Sequence, residues 1–326
     1  MSFLIGKDIF FCPKYALKVK NMNFKGKSII SFRDLKKDEI EYILKKAYEV
    51  KNNQYPDALQ GKTLASLFFE PSTRTRLSFD SAISLLGGKY FGIADPSSSS
   101  IQKGETLKDS IKTVCGYCDA IVIRHPYEGA ARVAAEVSSK PIINAGDGAN
   151  QHPTQTLLDL YTIKEQFGKI DGLNIGLMGD LKYGRTTHSL SMALSYYNVK
   201  ITLISPKLLR MPIDFKNHLE RSGIKFVEAS SIDEVGKDLD VLYVTRIQKE
   251  RFGDLQEYEK VAGSYKINEE TMSALNPKVK IMHPLPRLDE IDPSIDKLEN
   301  AIYFEQAHNG IPVRQAILGL IMGAIQ

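Results

Sequence analysis

Hydroxyl and guanidinium groups are concentrated in residues 72–76, with the sequence Ser-Thr-Arg-Thr-Arg. The apolar run 64–69 before them indicates a buried strand, and apolar residues at helical spacing over 79–86 indicate a helix after them. Backbone N–H groups at the start of a helix attract anions, and the planar guanidinium of Arg74 fits a phosphate group. Ser72 is the expected N-cap of this helix. A capped surface helix with two solvated arginines is the alternative, but this density of donors at a strand end favours an oxyanion site.

Three further arginines stand, like Arg74, at or just after the end of a predicted strand: Arg124, Arg185 and Arg246. His152 begins a predicted helix. Parallel α/β sheets bind ligands outside the carboxyl ends of their strands, so we expect these five side chains to converge. The sequence contains no dinucleotide or P-loop fingerprint, no nucleophile elbow and no metal-ligand cluster. Strand-end arginines without a nucleophile or a metal fit direct transfer between two anionic substrates.

The elements that must position these side chains alternate between strand and helix along the chain. The predicted strands cover residues 64–69, 90–93, 119–124, 141–144, 173–180, 201–204, 225–227, 240–246 and 279–282. A last helix is predicted over residues 312–325. Strands separated by helices predict an α/β fold of two doubly wound, parallel-sheet domains, with a hinge near residue 150.

Composition excludes several classes of protein. The 326 residues are 43% hydrophobic and 25% charged, as in an ordinary globular protein. A net charge of +4 without a long basic block argues against nucleic-acid binding, and the absence of an apolar run of about 18 residues argues against a membrane span. Three cysteines favour a reducing, cytoplasmic compartment. Cys115 and Cys118 form a C-x-x-C that favours two packed thiols at a helix end over a zinc or redox site.

Two segments stand apart from this alternation. Residues 96–104 contain four serines and a glycine, and their composition predicts a mobile surface loop whose only cation is Lys103. Residues 1–24 mix lysines with apolar residues and lack the uninterrupted apolar core of a secretory signal. We interpret them as an N-terminal extension.

Six motifs, in this order, resemble those of the aspartate and ornithine carbamoyltransferases. They are Phe-Glu-Pro-Ser-Thr-Arg-Thr-Arg at 69–76, Arg-His-Pro at 124–126, His-Pro-Thr-Gln at 152–155, Gly-Asp-Leu-Lys-Tyr-Gly-Arg-Thr at 179–186, Thr-Arg-Ile-Gln-Lys-Glu-Arg at 245–251 and His-Pro-Leu-Pro-Arg at 283–287. The last three resemble the aspartate branch, whereas the ornithine branch typically carries His-Cys-Leu-Pro at the last motif. The similarity runs from about residue 26 to the C terminus.

This resemblance implies a role for each motif residue. Carbamoyl phosphate would be bound by Ser72, Thr73, Arg74, Thr75, Ser99, Lys103, Arg124, His152, Gln155, Leu285 and Pro286. Within that set, the residues implied to act in catalysis are Arg74, Thr75, Lys103, Arg124 and His152. L-Aspartate would be bound by Lys103, Arg185, Arg246 and Gln248. Domain closure would use Glu70, Tyr183, Glu250 and Arg251, with Glu70 pairing with Arg185 and Arg251 in the closed form.

The chemistry implied by the resemblance is attack of the α-amine of L-aspartate on the carbamoyl carbon of carbamoyl phosphate. Thr75, Arg124 and His152 would face the carbamoyl oxygen and Gln155 the amino group, while the Leu285 carbonyl would lie near the reacting nitrogens beside a cis Leu285–Pro286 bond. The products are phosphate and N-carbamoyl-L-aspartate, in the committed step of pyrimidine synthesis. No cofactor, metal or covalent enzyme intermediate is implied, and no protein general base is assigned.

The resemblance also implies a domain organisation and an assembly. Residues 25–151 with the C-terminal helix 310–326 would form the carbamoyl phosphate-binding domain, and residues 152–309 the aspartate-binding domain, with the active site in the cleft between them. A homotrimer is expected, in which Ser99 and Lys103 serve the site of a neighbouring subunit. Residues 127–132 resemble the face that contacts a separate zinc-bearing regulatory chain in some members, which leaves a regulatory partner open.

Three alternatives are weighed against this function. Transfer to ornithine is disfavoured because Arg246 and Lys103 would repel its cationic side chain. A catalytically silent anion-binding or assembly subunit is disfavoured because every required motif residue is present. A nicotinamide dehydrogenase lacks its glycine-rich fingerprint and the acidic residue for the ribose.

Overall fold

The computed structural model describes residues 21–93, 104–249 and 252–326. These residues form two compact units. One contains the described residues up to Tyr161 together with His308–Gln326, and the other contains Thr162–Ala307. The division falls inside a helix, whereas the expected boundary between residues 151 and 152 lies just before that helix begins. The expected N-terminal extension, residues 1–24, lies mostly outside the described residues, and so does most of the serine-rich loop.

The strands and helices follow the alternation predicted from the sequence. The strands are β1 (Thr63–Phe68), β2 (Lys89–Ile93), β3 (Ala120–His125), β4 (Ile142–Asp147), β5 (Asn174–Met178), β6 (Lys200–Ile204), β7 (Lys225–Ala229), β8 (Val241–Val244) and β9 (Lys280–Met282). The α-helices are α1 (Lys37–Lys51), α2 (Thr73–Leu85), α3 (Leu107–Val114), α4 (Ala130–Val137), α5 (Pro153–Phe167), α6 (Arg185–Leu194), α7 (Ile213–Arg221), α8 (Leu255–Glu259), α9 (Glu269–Ser273), α10 (Tyr303–His308) and α11 (Gly310–Ile321).

The first unit is built on a parallel sheet with the strand order β2-β1-β3-β4. The apolar residues of β1, β3 and β4 are buried, whereas the edge strand β2 is mostly exposed. Strand β2 pairs with one edge of β1 and β3 pairs with the other edge, so the strand order reverses beside β1. Parallel sheets bind ligands at such a reversal, and the motif at 69–76 follows β1 directly.

The second unit is built on a parallel sheet with the strand order β7-β6-β5-β8-β9. Strand order reverses here beside β5, which has β6 on one side and β8 on the other. The motif at 179–186 follows β5, the motif at 245–251 follows β8, and the motif at 283–287 follows β9. Because β5, β8 and β9 are neighbours, the last three motifs share one edge of this sheet. The prediction of two parallel-sheet α/β domains is confirmed.

The C-terminal helix α11 packs against α1 and α2 in the first unit, as predicted. It is buried on nearly all sides. The guanidinium of Arg314 donates a hydrogen bond to Ser78 Oγ at 2.7 Å and lies over the ring of Phe79. Cys115 and Cys118 are buried free thiols just after α3, which confirms the prediction of packed thiols. Across the ranges that the structure describes, none of the helices combines the length and hydrophobicity needed to span a bilayer.

Candidate active site

The start of α2 presents backbone N–H groups just after the end of β1. Ser72 is the N-cap, as predicted, in an extended conformation with φ of −159°, but its side chain makes no capping hydrogen bond. The first turn of this fully described helix contains no acidic side chain. The partial positive charge of the helix terminus is therefore not compensated from within the helix, which suits an anion.

Two arginines in the first turns of α2 have different surroundings. Arg76 Nε lies 3.5 Å from Asp80 Oδ2, one helical turn further on. By contrast, no carboxylate of the described residues forms an ion pair with Arg74. Burial lowers the pKa of the Arg74 guanidinium, and the positive charge of Arg124 lowers this pKa further. An anion beside Arg74 and Arg124 would offset the repulsion between their charges.

Arg124 is largely buried at the end of β3. Its Nε lies 3.0 Å from Glu70 Oε2, and its Nη1 donates a hydrogen bond to the Ala145 carbonyl at 3.3 Å. Burial lowers the pKa of Arg124, and the charge of Glu70 acts in the opposite direction. The expected partners of Glu70 were Arg185 and Arg251, so this pairing within the first unit is a finding that sequence reasoning missed. A phosphate oxygen that approaches Arg124 must compete with Glu70.

Thr75 and His152 lie in contact, and both side chains are buried. Thr75 Oγ1 is 3.4 Å from His152 Nε2, and His152 Nδ1 is 3.5 Å from Thr154 Oγ1. His152 precedes Pro153, the first residue of α5, and Thr75 lies in the first turn of α2. Thr75 and His152, two of the three residues expected to face a carbamoyl oxygen, therefore come from different elements of the first unit and lie in contact.

The Gln155 amide is oriented by a buried acid. Its Nε2 donates a hydrogen bond to Asp159 Oδ1 at 2.9 Å, one turn along α5. Asp159 is fully buried and is close enough to Arg314 to raise the pKa of that guanidinium, although burial dominates and lowers this pKa to about 10. Since the nitrogen of the Gln155 amide is engaged, its Oε1 is the atom that can accept a hydrogen bond from a substrate amino group.

Asp180 connects two of the motifs in the second unit. This fully buried residue follows β5, and its Oδ1 accepts a hydrogen bond from the Tyr183 backbone N–H at 2.9 Å, while its Oδ2 accepts one from Gln248 N at 3.4 Å. Burial raises the pKa of Asp180, and these N–H groups act against that rise. Asp180 thus ties the segment after β5 to the segment after β8. It was not among the predicted site residues, although it lies in the motif at 179–186 and at the end of a predicted strand.

The predicted aspartate-binding residues of the second unit lie on the segments that Asp180 connects. Arg185 is the first residue of α6, while Arg246 and Gln248 follow β8. The ring of Tyr183 packs edge-on against Phe252 at a centroid distance of 5.6 Å, and Lys182 Nζ lies 4.8 Å from the centre of the Tyr183 ring. Adjacent strand ends therefore present two arginines and an amide at one edge of the sheet, which suits a substrate with carboxylate groups.

The segment after β9 is held by its own side chains. The Leu285–Pro286 bond is cis, as predicted. His283 Nδ1 accepts a hydrogen bond from the Leu285 backbone N–H at 2.8 Å. Arg287 forms an ion pair with Asp296 and donates a hydrogen bond to the Tyr303 hydroxyl at 2.9 Å. Arg287 therefore anchors this segment to its own unit.

The structure divides the predicted site residues into three groups. The first unit contains Glu70, Ser72, Thr73, Arg74, Thr75, Arg124, His152 and Gln155. The second unit contains Tyr183, Arg185, Arg246, Gln248, Leu285 and Pro286. Ser99, Lys103, Glu250 and Arg251 lie outside the described residues. Within each unit, the predicted residues lie on segments that follow the carboxyl ends of strands: β1, β3 and β4 in the first unit, and β5, β8 and β9 in the second.

Both units match domains of known proteins. The carbamoyl phosphate-binding domain of the aspartate/ornithine carbamoyltransferases matches residues 27–165, and their Asp/Orn-binding domain matches residues 171–321. The aspartate carbamoyltransferase catalytic subunit of Thermococcus kodakarensis is 57% identical over 308 residues, which cover 93% of this chain and 99% of the relative.

Solved structures agree with this similarity. The catalytic subunit of M. jannaschii aspartate transcarbamoylase aligns with a TM-score of 0.84 and 54% identity, covering 91% of this chain and 99% of that one. The Trypanosoma cruzi aspartate transcarbamoylase in complex with carbamoyl phosphate and aspartate aligns with a TM-score of 0.86 and 38% identity, covering 92% and 98%. The chain therefore belongs to the aspartate/ornithine carbamoyltransferase family.

Proposed function

We propose that this chain transfers the carbamoyl group of carbamoyl phosphate to the α-amine of L-aspartate, giving N-carbamoyl-L-aspartate and phosphate in the committed step of pyrimidine synthesis. The observation that carries the proposal is the group of donors beside β1. The positive charges of Arg74 and Arg124 repel each other there, and Thr75 contacts His152. This arrangement suits a substrate that combines a phosphate with a carbonyl oxygen.

In this proposal, the first unit binds and polarises carbamoyl phosphate. Ser72, Thr73 and Arg74 hold the phosphate together with the start of α2. Thr75, Arg124 and His152 donate to the carbamoyl oxygen, on which negative charge develops as the amine attacks. A single donor aimed at such an oxyanion contributes about 2.7–4 kcal/mol to lowering the barrier in comparable enzymes. His152 acts as a donor, and Gln155 accepts a hydrogen bond from the carbamoyl amino group.

The second unit supplies the amine. Arg185, Arg246 and Gln248 bind the two carboxylates of L-aspartate, and the Leu285 carbonyl accepts a hydrogen bond from the reacting nitrogens. Orienting two bound reactants can lower the barrier by about 7–11 kcal/mol, so this reaction needs no enzyme nucleophile. The tetrahedral intermediate collapses with cleavage of the C–O bond to phosphate. The departing phosphate takes up the proton that the amine loses.

The proposal extends to assembly and location. A homotrimer would place Ser99 and Lys103 of one subunit in the site of the next, and Lys103 would contact both substrates. The exposed side chain of Tyr127 supports the binding of a regulatory chain at residues 127–132. A cytoplasmic location is supported by the free thiols of Cys115 and Cys118. Sedimentation of the purified chain would test the trimer directly.

Amine specificity tests the reaction itself. The purified chain is mixed with carbamoyl phosphate and either L-aspartate or L-ornithine, and the carbamoylated product and released phosphate are quantified. We expect turnover with L-aspartate alone, because the arginines of the second unit would repel the cationic side chain of ornithine. Turnover with ornithine alone would contradict the roles of Arg246 and Leu285. Activity with neither amine in a trimeric sample would favour a silent subunit.

Substitution of Glu70 tests the separation of the two substrate sites. Glu70→Ala is expected to raise the KM for aspartate about tenfold, the size of a typical coupling between sites. The Kd for carbamoyl phosphate is expected not to rise, because the substitution removes a carboxylate that competes for Arg124 and removes no phosphate ligand. Calorimetric titration measures that Kd, and steady-state kinetics measure the KM.

Glu136→Ala, at an exposed position of α4 in the same unit, is the control for Glu70→Ala and should leave both constants unchanged. An equal loss of affinity for both substrates in Glu70→Ala would contradict the proposed role of Glu70 as a closure residue alongside Tyr183, Glu250 and Arg251.

A further inference from the structure

Leu285 has an unusual backbone conformation within the last motif. Its φ is +52°, in the left-handed region that a leucine rarely adopts. Such a conformation persists only where the surroundings hold it, and it aims the carbonyl of the residue in a direction that an ordinary turn would not. The contacts that hold Leu285 therefore decide where its carbonyl oxygen points.

The imidazole of His283 makes one of these contacts. The Leu285 N–H donates to His283 Nδ1 at 2.8 Å, so Nδ1 has to be unprotonated. His283 Nε2 lies 2.7 Å from Glu290 Oε1 and carries the ring proton, because a carboxylate oxygen can only accept. His283 is 1% exposed and its backbone N–H donates to Gln306 Oε1 at 2.8 Å, so neither the ring nor its backbone is free to turn.

Glu290 fixes the ring from the other side. Its second oxygen accepts a hydrogen bond from the Leu288 N–H at 3.0 Å, so the carboxylate joins the two ends of the segment 283–290. Burial raises the pKa of Glu290, but hydrogen bonds from His283 and from backbone N–H groups outweigh burial and lower this pKa. The carboxylate stays ionised and holds His283 in the tautomer that can accept from Leu285.

We infer that His283 and Glu290 are positioning residues, which hold the Leu285 carbonyl oxygen where the reacting nitrogens need it; this inference rests on the proposed function. Neither residue is among those proposed to bind a substrate. His283 acts through its Nδ1 atom on the Leu285 N–H, and Glu290 acts through the tautomer of His283. The backbone oxygen of Leu285 is the group that would accept from the attacking amine.

Two substitutions of His283 separate its ring nitrogens. In His283→Asn, the Oδ1 atom takes the place of Nδ1 and can still accept from the Leu285 N–H. In His283→Gln, the amide reaches the place of Nε2 and leaves Leu285 without its acceptor. We expect His283→Gln and His283→Ala to lower kcat about 100-fold, the loss that a displacement of about 1 Å can cause. We expect His283→Asn to keep most of the wild-type kcat.

The readouts distinguish positioning from folding. The Kd for carbamoyl phosphate should be the same in all variants, since most residues proposed to bind carbamoyl phosphate lie in the first unit. The stoichiometry of carbamoyl phosphate binding gives the folded fraction of each variant, by which the measured kcat is corrected. His218→Ala on α7, where the imidazole contacts Ser195, is the control and should not change kcat. Equal losses in His283→Asn and His283→Gln, or a larger loss in His283→Asn, would overturn the inference.

Three further outcomes test the inference, and the first two apply even if the variants do not fold or the reaction is not observed. In wild-type protein labelled with 15N-histidine, the His283 signals should show a proton on Nε2 and none on Nδ1, and a proton on Nδ1 would overturn the inference. A wild-type chain that carbamoylates no aspartate overturns the proposed function and, with it, the role given to Leu285. A wild-type chain that is active while its His283 variants remain fully active overturns the inference alone.

Discussion

Arg74→Lys is expected to lower kcat/KM for carbamoyl phosphate by about 100- to 1000-fold, the loss measured in comparable enzymes when one donor to a developing negative charge is removed, here the charge on the departing phosphate. The lysine retains the positive charge but loses the planar fork that can donate two parallel hydrogen bonds to a phosphate. Arg74 lies close enough to Arg124 for that charge to lower its pKa. We expect the two guanidiniums to act together on one dianion, and a point charge cannot replace that geometry.

Arg76→Lys is the matched control for this prediction. Arg76 is two residues away on the same helix but forms an ion pair with Asp80, 3.5 Å distant. A lysine can preserve that pair, so activity should stay close to wild type. Steady-state kinetics with carbamoyl phosphate as the varied substrate measure both effects, and thermal unfolding shows that both variants fold. Equal losses in the two variants would show that the start of α2 responds to packing rather than to phosphate recognition.

Local patterns are sufficient to predict the framework of both units. The predicted strand 64–69 coincides with β1 to within one residue at each end, and the helical repeat over 79–86 lies on the second half of α2 and its C-cap, because an apolar run and a helical repeat are properties of neighbouring residues. Helices between successive strands require parallel pairing, and both sheets are parallel throughout. The same patterns do not predict α7, because Leu219 is its only buried residue and its polar surface resembles that of a loop.

Local backbone conformation limits how well the first residue of a helix can be predicted from the sequence. The helix between β3 and β4 begins only at Ala130, five residues after β3 ends. Gly129 takes φ of +78° at its N-cap, a left-handed conformation that an α-helix cannot include. A glycine in the sequence permits this conformation but does not require it, so only the folded chain shows where the helix starts.

Two hydrogen-bonded or ion-paired contacts at the candidate site could not be predicted, because each joins residues that are distant in sequence. Glu70 belongs to a motif whose resemblance implies partners in the other half of the chain, yet it pairs with Arg124 in its own unit. Asp180 likewise bonds Gln248 across two neighbouring strands. Which carboxylate reaches which donor depends on strand order and register, and neither follows from residue type.

Gly179→Ala is expected to destabilise the protein by about 4 kcal/mol and to raise the KM for aspartate, a combined cost of backbone strain and overpacking. Gly179 has φ of +113°, and a Cβ atom there would lie 2.2 Å from the Thr245 carbonyl oxygen. Because Gly179 follows β5 and Thr245 follows β8, relief requires the two strand ends to separate. That movement would displace Asp180, which holds the backbone N–H groups of Tyr183 and Gln248.

Gly223→Ala is the control that separates the cost of a steric clash at the added Cβ atom from the cost of a left-handed backbone conformation. Gly223 has φ of +73°, but no atom lies within 4 Å of an added Cβ, so only strain of about 1 kcal/mol is expected. Urea unfolding measures both free energies, and steady-state kinetics measure the KM for aspartate. Equal destabilisation of the two variants would mean that the strand ends can separate without cost. The approach of β5 to β8 would then not be what fixes the aspartate-binding segments, and the side-chain contacts of Asp180 alone would have to hold them.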